Sequence, residues 1–218
     1  MIASPTPPFR LYTVRHGQTD YSLADRFCGS VDVPLNAQGL EMATAIADGY
    51  SDIPWTAVYC SPRTRTRQTV EPLAHRLGLD VHIHEGLREI EYGVWEGLLT
   101  SEIKLQHPKE YAAWEANPSA NSPPQGETAP TIARRALQAV EDIRAVHPHG
   151  NVLVVSHKAT LRILTCALLG IDLSLFRVRI HQQVGAMNVF ELSDSGAMLR
   201  VLGDTSHLPA KLRVEQGS

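Results

Sequence analysis

Imidazole and guanidinium groups follow three short apolar segments of this chain, each at the point where a β-strand is predicted to end. These groups belong to Arg15, His16, Arg63, Arg65, Arg67 and His157. In an open α/β sheet, ligands bind outside the carboxyl ends of the strands, so we expect the three segments to meet at one site. Arginine keeps its charge and binds phosphate oxygens bidentately, and no carboxylate cluster accompanies these residues. The pattern therefore predicts a site for a tetrahedral anion such as phosphate.

The elements that position these residues alternate along the chain. Short apolar runs predict strands at 11–14, 57–60, 81–84 and 151–155, and the last run is typical of a central strand buried on both faces. Apolar residues at helical spacing predict helices at 37–46, 61–77, 129–146 and 159–169. Asn36 and the pair Ser61-Pro62 are the predicted starts of the first two helices, and Gly78 is a predicted stop.

The last part of the predicted core is a β-hairpin, with strands at 184–192 and 198–202 and a turn at Asp194-Ser195-Gly196. Strands that alternate with helices predict an α/β fold, here a three-layer α/β/α sandwich with a mostly parallel central sheet. Residues from about Pro209 onward are predicted to be a loose tail.

The region between residues 85 and 125 has few β-branched runs, three aromatic anchors and a proline-rich loop at 117–125. The anchors are Trp95, Tyr111 and Trp114. We interpret this region as helices and loops that cap one end of the sheet. The chain is thus predicted to be a single domain, residues 1–218, with a cap insertion at roughly 92–127.

Composition limits the possible partners of this chain. Of its 218 residues, 43% are hydrophobic and 20% are charged, which is ordinary for a globular enzyme, and the net charge is −3. No long basic run is present, so neither nucleic acid nor a membrane surface is an expected partner. The segment 1–9 has no long apolar stretch and is predicted to be neither a signal peptide nor an anchor. Three widely spaced cysteines fit free thiols, which predicts a cytoplasmic protein. A homodimer formed by pairing of the hairpin strands is left open.

The residues Arg15-His16-Gly17-Gln18-Thr19 resemble the signature of the histidine phosphatase superfamily, which includes the cofactor-dependent phosphoglycerate mutases. Other segments resemble the family pattern in the same order, namely 26–29, 32–35, Gly39, 61–69, 87–89, 93–97, 126–128 and 156–157. Any one of these short motifs would recur by chance, but several in order and at suitable spacings are specific. The resemblance covers residues 11–169.

The resemblance implies the fold described above and a catalytic role for five residues. His16 would be the nucleophile that briefly carries a phosphoryl group, and Arg15 and Arg65 would keep it neutral and bind the phosphoryl oxygens. His157 would donate to a phosphoryl oxygen from the face opposite Arg65. Glu89 would protonate the leaving oxygen and then activate water. No metal or other cofactor is implied, because these arginines and histidines supply the positive charge.

The remaining predicted substrate-binding residues lie in the signature, in the loop after it, in the acidic segment or beside His157. They are Gly17, Gln18, Thr19, Ser22, Cys28, Gly29, Tyr92 and Lys158. The family pattern has a hydrophobic residue at the position of Arg63, so Arg65 is the predicted phosphate ligand of the arginine run. Lys158 replaces a small residue and is a candidate contact for a substrate carboxylate.

The predicted function is that of a metal-independent phosphomonoester phosphatase acting on a small organic phosphate. A phosphoglycerate mutase is an alternative, but Thr100 stands where the mutase pattern has a lysine, and Lys158-Ala159 stand where mutases have Gly-Asn. A non-catalytic phosphate-binding or interaction module of the same fold is a second alternative. A metallohydrolase based on His82 and His84, which lie two residues apart on a predicted strand and so share one face, is a third.

Overall fold

Two apolar strands, β1 (Phe9–Arg15) and β4 (Gly150–Ser156), lie parallel and in register at the centre of a six-stranded sheet in the computed structural model, which describes residues 7–213. The other strands are β2 (Trp55–Cys60), β3 (Val81–Ile83), β5 (Met187–Ser193) and β6 (Gly196–Asp204). The strand order is β3-β2-β4-β1-β5-β6, parallel from β3 to β1 and antiparallel through the β5–β6 hairpin. The sheet is therefore mixed, with its parallel part at the predicted site.

Helices cover both faces of this sheet, which confirms the predicted three-layer α/β/α fold. Successive side chains of a strand point to opposite faces. On one face, Val152 and Val154 of β4 pack with α6 (Ala129–Val146) and α7 (Lys158–Leu169). On the other face, Leu153 and Val155 pack with α2 (Ala37–Tyr50) and α3 (Thr64–Leu77). Strand β4 is thus buried on both faces, as its continuous apolar run predicts.

The ends of α2 and α3 show which predicted helix signals operate. The Asn36 side chain accepts a 2.9 Å hydrogen bond from the Gly39 N–H and caps α2, while Gly78 ends α3 in a left-handed conformation with φ of 64°. The predicted start of α3 at Ser61 is wrong, because this helix begins at Thr64. The Ser61 hydroxyl lies 2.7 Å from Nε2 of His157 and so belongs to the site at the strand ends.

Between β3 and α6 the chain forms two 3₁₀ turns, at Glu85–Leu87 and Gly93–Trp95, and two short helices, α4 (Thr100–Gln106) and α5 (Pro108–Ala116). The three predicted aromatic anchors, Trp95, Tyr111 and Trp114, are buried in one cluster with Ile103. The helices and loops expected here are present. Their treatment as an insertion bounded at about 92 and 127 stays an interpretation.

Two further predictions need correction near the carboxyl end. Residues 209–213 are not a loose tail, because a 3₁₀ turn at Ala210–Leu212 packs Leu212 against Met42 and Leu208. Residues 214–218 lie outside the described part. The hairpin begins at Met187 rather than at residue 184, since Gly185 adopts a φ of 69° just before it. The short helices α1 (Asp20–Leu23) and α8 (Phe176–Arg179) were not predicted.

The described residues also bear on the expected partners. Within 7–213, no helix has both the length and the apolar character needed to cross a bilayer. Residues 1–6, which hold most of the segment predicted to lack a signal peptide, lie outside the described range. Strand β6 is an edge strand whose Met198 and Leu202 side chains are exposed. Pairing of two chains along this edge stays a prediction.

Two glycines allow the start of α2 to approach the loop that follows β1. A Cβ atom on Gly17 would lie 2.7 Å from the carbonyl oxygen of Gly39, and a Cβ atom on Gly39 would overlap the carbonyl oxygen of Gln18. Both neighbours are main-chain atoms, which cannot rotate away as a flexible side chain can. Glycine at both positions therefore permits this close contact between the loop after β1 and the start of α2.

We therefore expect Gly39→Ala to lower the free energy of unfolding by about 1–3 kcal/mol, the usual cost of overpacking. Urea unfolding followed by circular dichroism measures the change. Gln38→Ala is the matched control, because Gln38 is exposed on the same helical turn. Equal stability of the Gly39→Ala variant and the parent would contradict the proposed close approach.

Candidate active site

A cavity with about 100 Å³ of free space opens at the carboxyl ends of β1 and β4. Six positively charged side chains line it, from Arg15, Arg26, Arg65, Lys158, Arg162 and Arg177. The acidic side chains in the lining are those of Asp25 and Glu89. A site with this excess of positive charge attracts anions, and its size fits a small one. The lining also includes His16 and the aromatic rings of Phe27, Tyr92, Trp114 and Phe176.

His16 follows β1 and is held in one tautomer by its neighbour. Its backbone N–H bonds to the carbonyl of Ser156, and its ring Nδ1 lies 2.7 Å from the carbonyl oxygen of Gly17. A carbonyl oxygen only accepts, so we assign the ring proton to Nδ1 and the lone pair to Nε2. Burial lowers the pKa of His16 well below its usual value, and the charges of Arg65 and Arg15 lower it further. His16 is therefore a neutral imidazole with an electron pair on Nε2.

Arg15 is anchored at one nitrogen and unpaired at another. Its Nη1 donates a 2.8 Å hydrogen bond to the carbonyl oxygen of Gln182. Its buried Nε has no hydrogen-bond partner among the described residues. Burial lowers the pKa of Arg15 to about 10, which still leaves it charged near neutral pH. The unpaired Nε is therefore a candidate hydrogen-bond donor to an anionic oxygen in the cavity.

Arg65 is almost fully buried and is the one arginine of the 63–67 run that lines the cavity. Its guanidinium group donates to three carbonyl oxygens of the loop after the signature, those of Cys28, Gly29 and Val31. Its Nε donates a 3.1 Å hydrogen bond to Nδ1 of His157. The loop and the ring thus fix the position of this cation.

His157 is completely buried, and its ring centroid lies 5.3 Å from that of His16. It lies beside Arg65, which corrects the expectation that it acts from the opposite face. Because Arg65 donates to its Nδ1, we assign the ring proton to Nε2, which points at the Ser61 hydroxyl. Burial lowers the pKa of His157 well below its usual value, with the charge of Arg65 the next cause. The ring is therefore neutral, with both nitrogens engaged.

Glu89 lies at the N-terminus of α7, beside the cavity. Its Oε1 accepts hydrogen bonds from the backbone N–H groups of Ile90 and Thr160 and from the Thr160 hydroxyl, and its Oε2 accepts one from the N–H of Ala159. The first N–H groups of a helix have no partner within the helix, so a carboxylate is well placed there. These bonds hold Glu89 in one orientation at the cavity wall.

The structure separates the other predicted substrate-binding residues into two groups. Five of them line the cavity, namely Thr19, Ser22, Cys28, Tyr92 and Lys158. Burial raises the pKa of the Cys28 thiol to about 11, so this residue is a protonated wall group and a poor nucleophile. For the five lining residues, contact with substrate stays a prediction.

The other three, Gly17, Gln18 and Gly29, are outside the cavity lining and make contacts within the protein. The Gly17 N–H donates to the Thr69 hydroxyl, and the Gln18 side chain accepts from Asn36. The Gly29 N–H donates to the Glu96 carboxylate. These three residues shape the loop that surrounds the site, and the structure offers no support for direct contact with substrate.

The two histidines considered as metal ligands make other contacts within the protein. The His82 ring packs on Tyr59, and His84 bonds through Nε2 to Asp142 and through Nδ1 to the Gly86 N–H. Across residues 7–213, no three His, Cys, Asp or Glu side chains gather in a way that could hold a metal ion.

Sequence reasoning missed several residues of the site. Arg162 and Arg177 line the cavity, Gln182 anchors Arg15, and Thr160 anchors Glu89. One signal for Arg162 was available, because it follows Lys158 by four residues on a predicted helix and so shares its face. Arg177 and Gln182 lie in a segment that carries no recognised motif, and only the fold brings them here.

The two buried neutral imidazoles predict a pH dependence of stability. Because the pKa values of His16 and His157 are lowered on folding, the unfolded chain binds more protons below its usual histidine pKa of about 6.5. The free energy of unfolding should therefore fall with decreasing pH below that value, by up to about 1.4 kcal/mol per pH unit for each histidine. Urea unfolding at pH 5, 6 and 7 measures the slope.

His157→Asn keeps an acceptor for Arg65 but removes one titrating ring, so we expect a shallower slope between pH 5 and 6.5. Ser61→Ala is the control, since it removes the hydrogen bond to Nε2 but retains the imidazole. A slope unchanged by His157→Asn would show that this ring is not held neutral in the folded protein.

The chain is similar in sequence to two phosphatases and to a probable mutase. A phosphoserine phosphatase 1 of Hydrogenobacter thermophilus is 31% identical over 77% of this chain and 79% of its own length. An adenosylcobalamin/alpha-ribazole phosphatase of Salmonella typhimurium is 28% identical over 88% of this chain and 95% of its own length. A probable phosphoglycerate mutase, GpmB of Proteus mirabilis, is 30% identical over 91% of this chain and 94% of its own length.

The fold comparison agrees with these similarities. The solved structure of YhfR from Bacillus stearothermophilus superposes with a TM-score of 0.87 at 28% identity, covering 92% of this chain and 100% of that one. The family model described as histidine phosphatase superfamily, branch 1, matches residues 11–205. The matched range contains His16, Arg65, Glu89 and His157. The chain therefore belongs to branch 1 of the histidine phosphatase superfamily.

Proposed function

We propose that this chain hydrolyses phosphomonoesters of small organic molecules, with His16 carrying the phosphoryl group between two displacement steps. The observation that carries the proposal is a buried, neutral imidazole beside two arginines in a cavity with an excess of positive charge. The phosphatase names of several relatives and the small free volume of the cavity support the same conclusion.

In the first step, the lone pair on Nε2 of His16 attacks phosphorus as the bond to the leaving oxygen breaks. A nitrogen–phosphorus bond forms, and the alcohol leaves with one added proton. Arg15 and Arg65 bind the equatorial oxygens, whose charge shifts in the transition state. The carbonyl of Gly17 accepts from Nδ1–H and stabilises the ring as it becomes positive. In the second step water attacks phosphorus, and His16 leaves with its electron pair.

Glu89 is the proposed proton carrier between these steps. It lines the cavity and is oriented by the N–H groups at the start of α7. In the protonated form it would transfer a proton to the leaving oxygen, and as a carboxylate it would take one from the attacking water. Net reaction then consumes one water and returns every residue to its starting state.

For His157 we propose a positioning role. Its Nδ1 accepts from Arg65 Nε, and its Nε2 faces Ser61, so it ties the arginine of α3 to the end of β4. On this view His157 sets where Arg65 meets the phosphoryl group. The Nε2–H group could donate to the phosphate only if it gave up its hydrogen bond to the Ser61 hydroxyl.

Phosphatase action is preferred to mutase action because of the cavity wall at Thr100. This residue lines the cavity at the position where the mutase pattern has a lysine. A mutase must keep its intermediate bound until that molecule has accepted the phosphoryl group. In a phosphatase, water accepts this group instead. The absence of a lysine here removes one group that would hold the intermediate.

A cytoplasmic location is proposed as well. The three cysteines are unpaired thiols, two of them buried, and free thiols persist in a reducing compartment.

His16→Asn should abolish turnover, by at least about 1,000-fold, because it removes the nucleophilic nitrogen. Asparagine retains a donor near the position of Nδ1 and so can keep the hydrogen bond to Gly17. Steady-state release of inorganic phosphate from 3-phosphoglycerate and from p-nitrophenyl phosphate is the assay. Acid and base quenching of the parent with a labelled substrate should reveal an acid-labile, base-stable phosphoryl link that the variant lacks.

Circular dichroism and urea unfolding verify that the His16→Asn variant is folded. Turnover at the parental rate by this folded variant would overturn the proposed nucleophile. Formation of 2-phosphoglycerate as the main product from 3-phosphoglycerate would instead support a mutase.

Glu89→Gln should slow hydrolysis by about 100-fold or more for alkyl phosphates, whose leaving groups need a proton. The loss should be much smaller for p-nitrophenyl phosphate, whose leaving group departs without protonation. Plots of log kcat/KM against leaving-group pKa measure the difference in slope. Glu91→Gln is the control, since Glu91 is a half-exposed neighbour paired with Arg88. An equal loss for all substrates would exclude the proton-donor role.

A further inference from the structure

Arg162 is a buried cation that lines the cavity and has no role in the proposed mechanism. It lies one helical turn after Lys158 on α7, is 7% exposed and lines the cavity. Its Nε is buried and has no hydrogen-bond partner within the described residues. Burying a guanidinium nitrogen without a hydrogen-bond partner destabilises the folded protein. A ligand that accepts a hydrogen bond from this nitrogen would remove that cost.

Two other cations border the same part of the cavity. The Arg177 guanidinium group lies 4.1 Å above the Trp114 ring, which fixes its position. Lys158 lies on the same face of α7 as Arg162, with Nζ 3.9 Å from the carboxylate of Asp25. Burial and the charges of Arg15 and Arg162 lower the pKa of Lys158 to about 8, a sign of mutual repulsion among these groups.

Arg162 also lies on the element that orients the proton carrier. The N-terminus of α7 binds the carboxylate of Glu89 through Ala159 and Thr160, and Arg162 follows Ala159 by three residues. Residues three apart on a helix are neighbours, so Arg162 borders the side of the cavity where Glu89 would meet the leaving oxygen. A ligand of Arg162 would therefore belong to the leaving group rather than to the phosphoryl group.

We propose that Arg162, assisted by Lys158 and Arg177, forms a second anion subsite that binds a carboxylate on the leaving group. The preferred substrates are then small phosphomonoesters of hydroxy acids. The guanidinium fork matches a planar carboxylate in two parallel hydrogen bonds. The cavity is small, with about 100 Å³ of free space, which suits one short molecule carrying both anions. This inference rests on the proposed function and narrows its substrate class.

Binding of non-hydrolysable analogues tests the subsite without turnover. The probes are 3-phosphonopropionate and propylphosphonate, which differ only by a carboxylate in place of a methyl group. Isothermal titration calorimetry should show at least about 10-fold tighter binding of the carboxylate to the parent, since a charged hydrogen bond is lost with the methyl analogue. Arg162→Met should reduce this preference to about 2-fold or less. Tighter binding of propane-1,3-bisphosphonate than of 3-phosphonopropionate would overturn the carboxylate assignment in favour of a second phosphate.

Arg179→Gln is the matched control, because Arg179 is exposed on α8 and is not among the residues that line the cavity. It should retain the full preference for 3-phosphonopropionate. If Arg162→Met does not fold, Arg177→Met provides a second test and should weaken the same preference. A parent that binds both phosphonates equally overturns the subsite.

Turnover separates failure of the subsite from failure of the proposed function. The ratio of kcat/KM for 3-phosphoglycerate to that for glycerol 3-phosphate should exceed 1 in the parent, and should fall by about 10-fold or more in Arg162→Met. Hydrolysis of both substrates with no preference, unchanged in the variant, would refute the subsite and leave the phosphatase intact. Carboxylate-selective binding without any phosphate release would refute the phosphatase and leave the subsite.

Discussion

The concentration of positive charge at the ends of β1 and β4 is the constraint on which the site depends. Guanidinium groups buried close together repel one another, so each must be held by neutral acceptors. Arg65 is held by three carbonyl oxygens and an imidazole nitrogen, and Arg15 by the carbonyl of Gln182. Burial keeps the two histidines neutral, and the charge of Arg65 adds to this effect. An anion that enters the cavity satisfies several of these groups at once, which makes phosphate binding a consequence of how the protein is packed.

The parallel pairing of β1 with β4 gives this arrangement its geometry. Arg15 pairs with Ser156 in register, so the residues that follow, His16 and His157, leave the sheet side by side. The third component comes from the strand on the other side of β4, whose end leads through Ser61 into α3 and Arg65. Neighbouring parallel strands thus deliver residues distant in sequence to one edge. The segment that leads into the antiparallel hairpin contributes on the other side, where the carbonyl oxygen of Gln182 accepts a hydrogen bond from Arg15.

Much of this arrangement could be predicted from the sequence, because it depends on local signals. Apolar runs that end in polar residues predicted the central strands and the edge where the site lies, and only Arg65 of its run proved to be buried in the cavity. The start of α3 was misplaced, since Ser61 has the character of a cap but is used by His157. Long-range partners such as Gln182 and Arg177 could not be predicted, because nothing near them in sequence records which strand end they will face.

The hydrogen bonds between Glu89 and the first turn of α7 link the charge on this carboxylate to the stability of the helix start. Four hydrogen bonds converge on this carboxylate, and each is strongest when it carries a negative charge. In the proposed mechanism Glu89 takes up and releases a proton, so its hydrogen bonds to the start of α7 would weaken and then strengthen again in each cycle. Helix α7 also bears Lys158 and Arg162. Proton transfer at Glu89 and release of the alcohol from the proposed subsite would then depend on the same helix terminus.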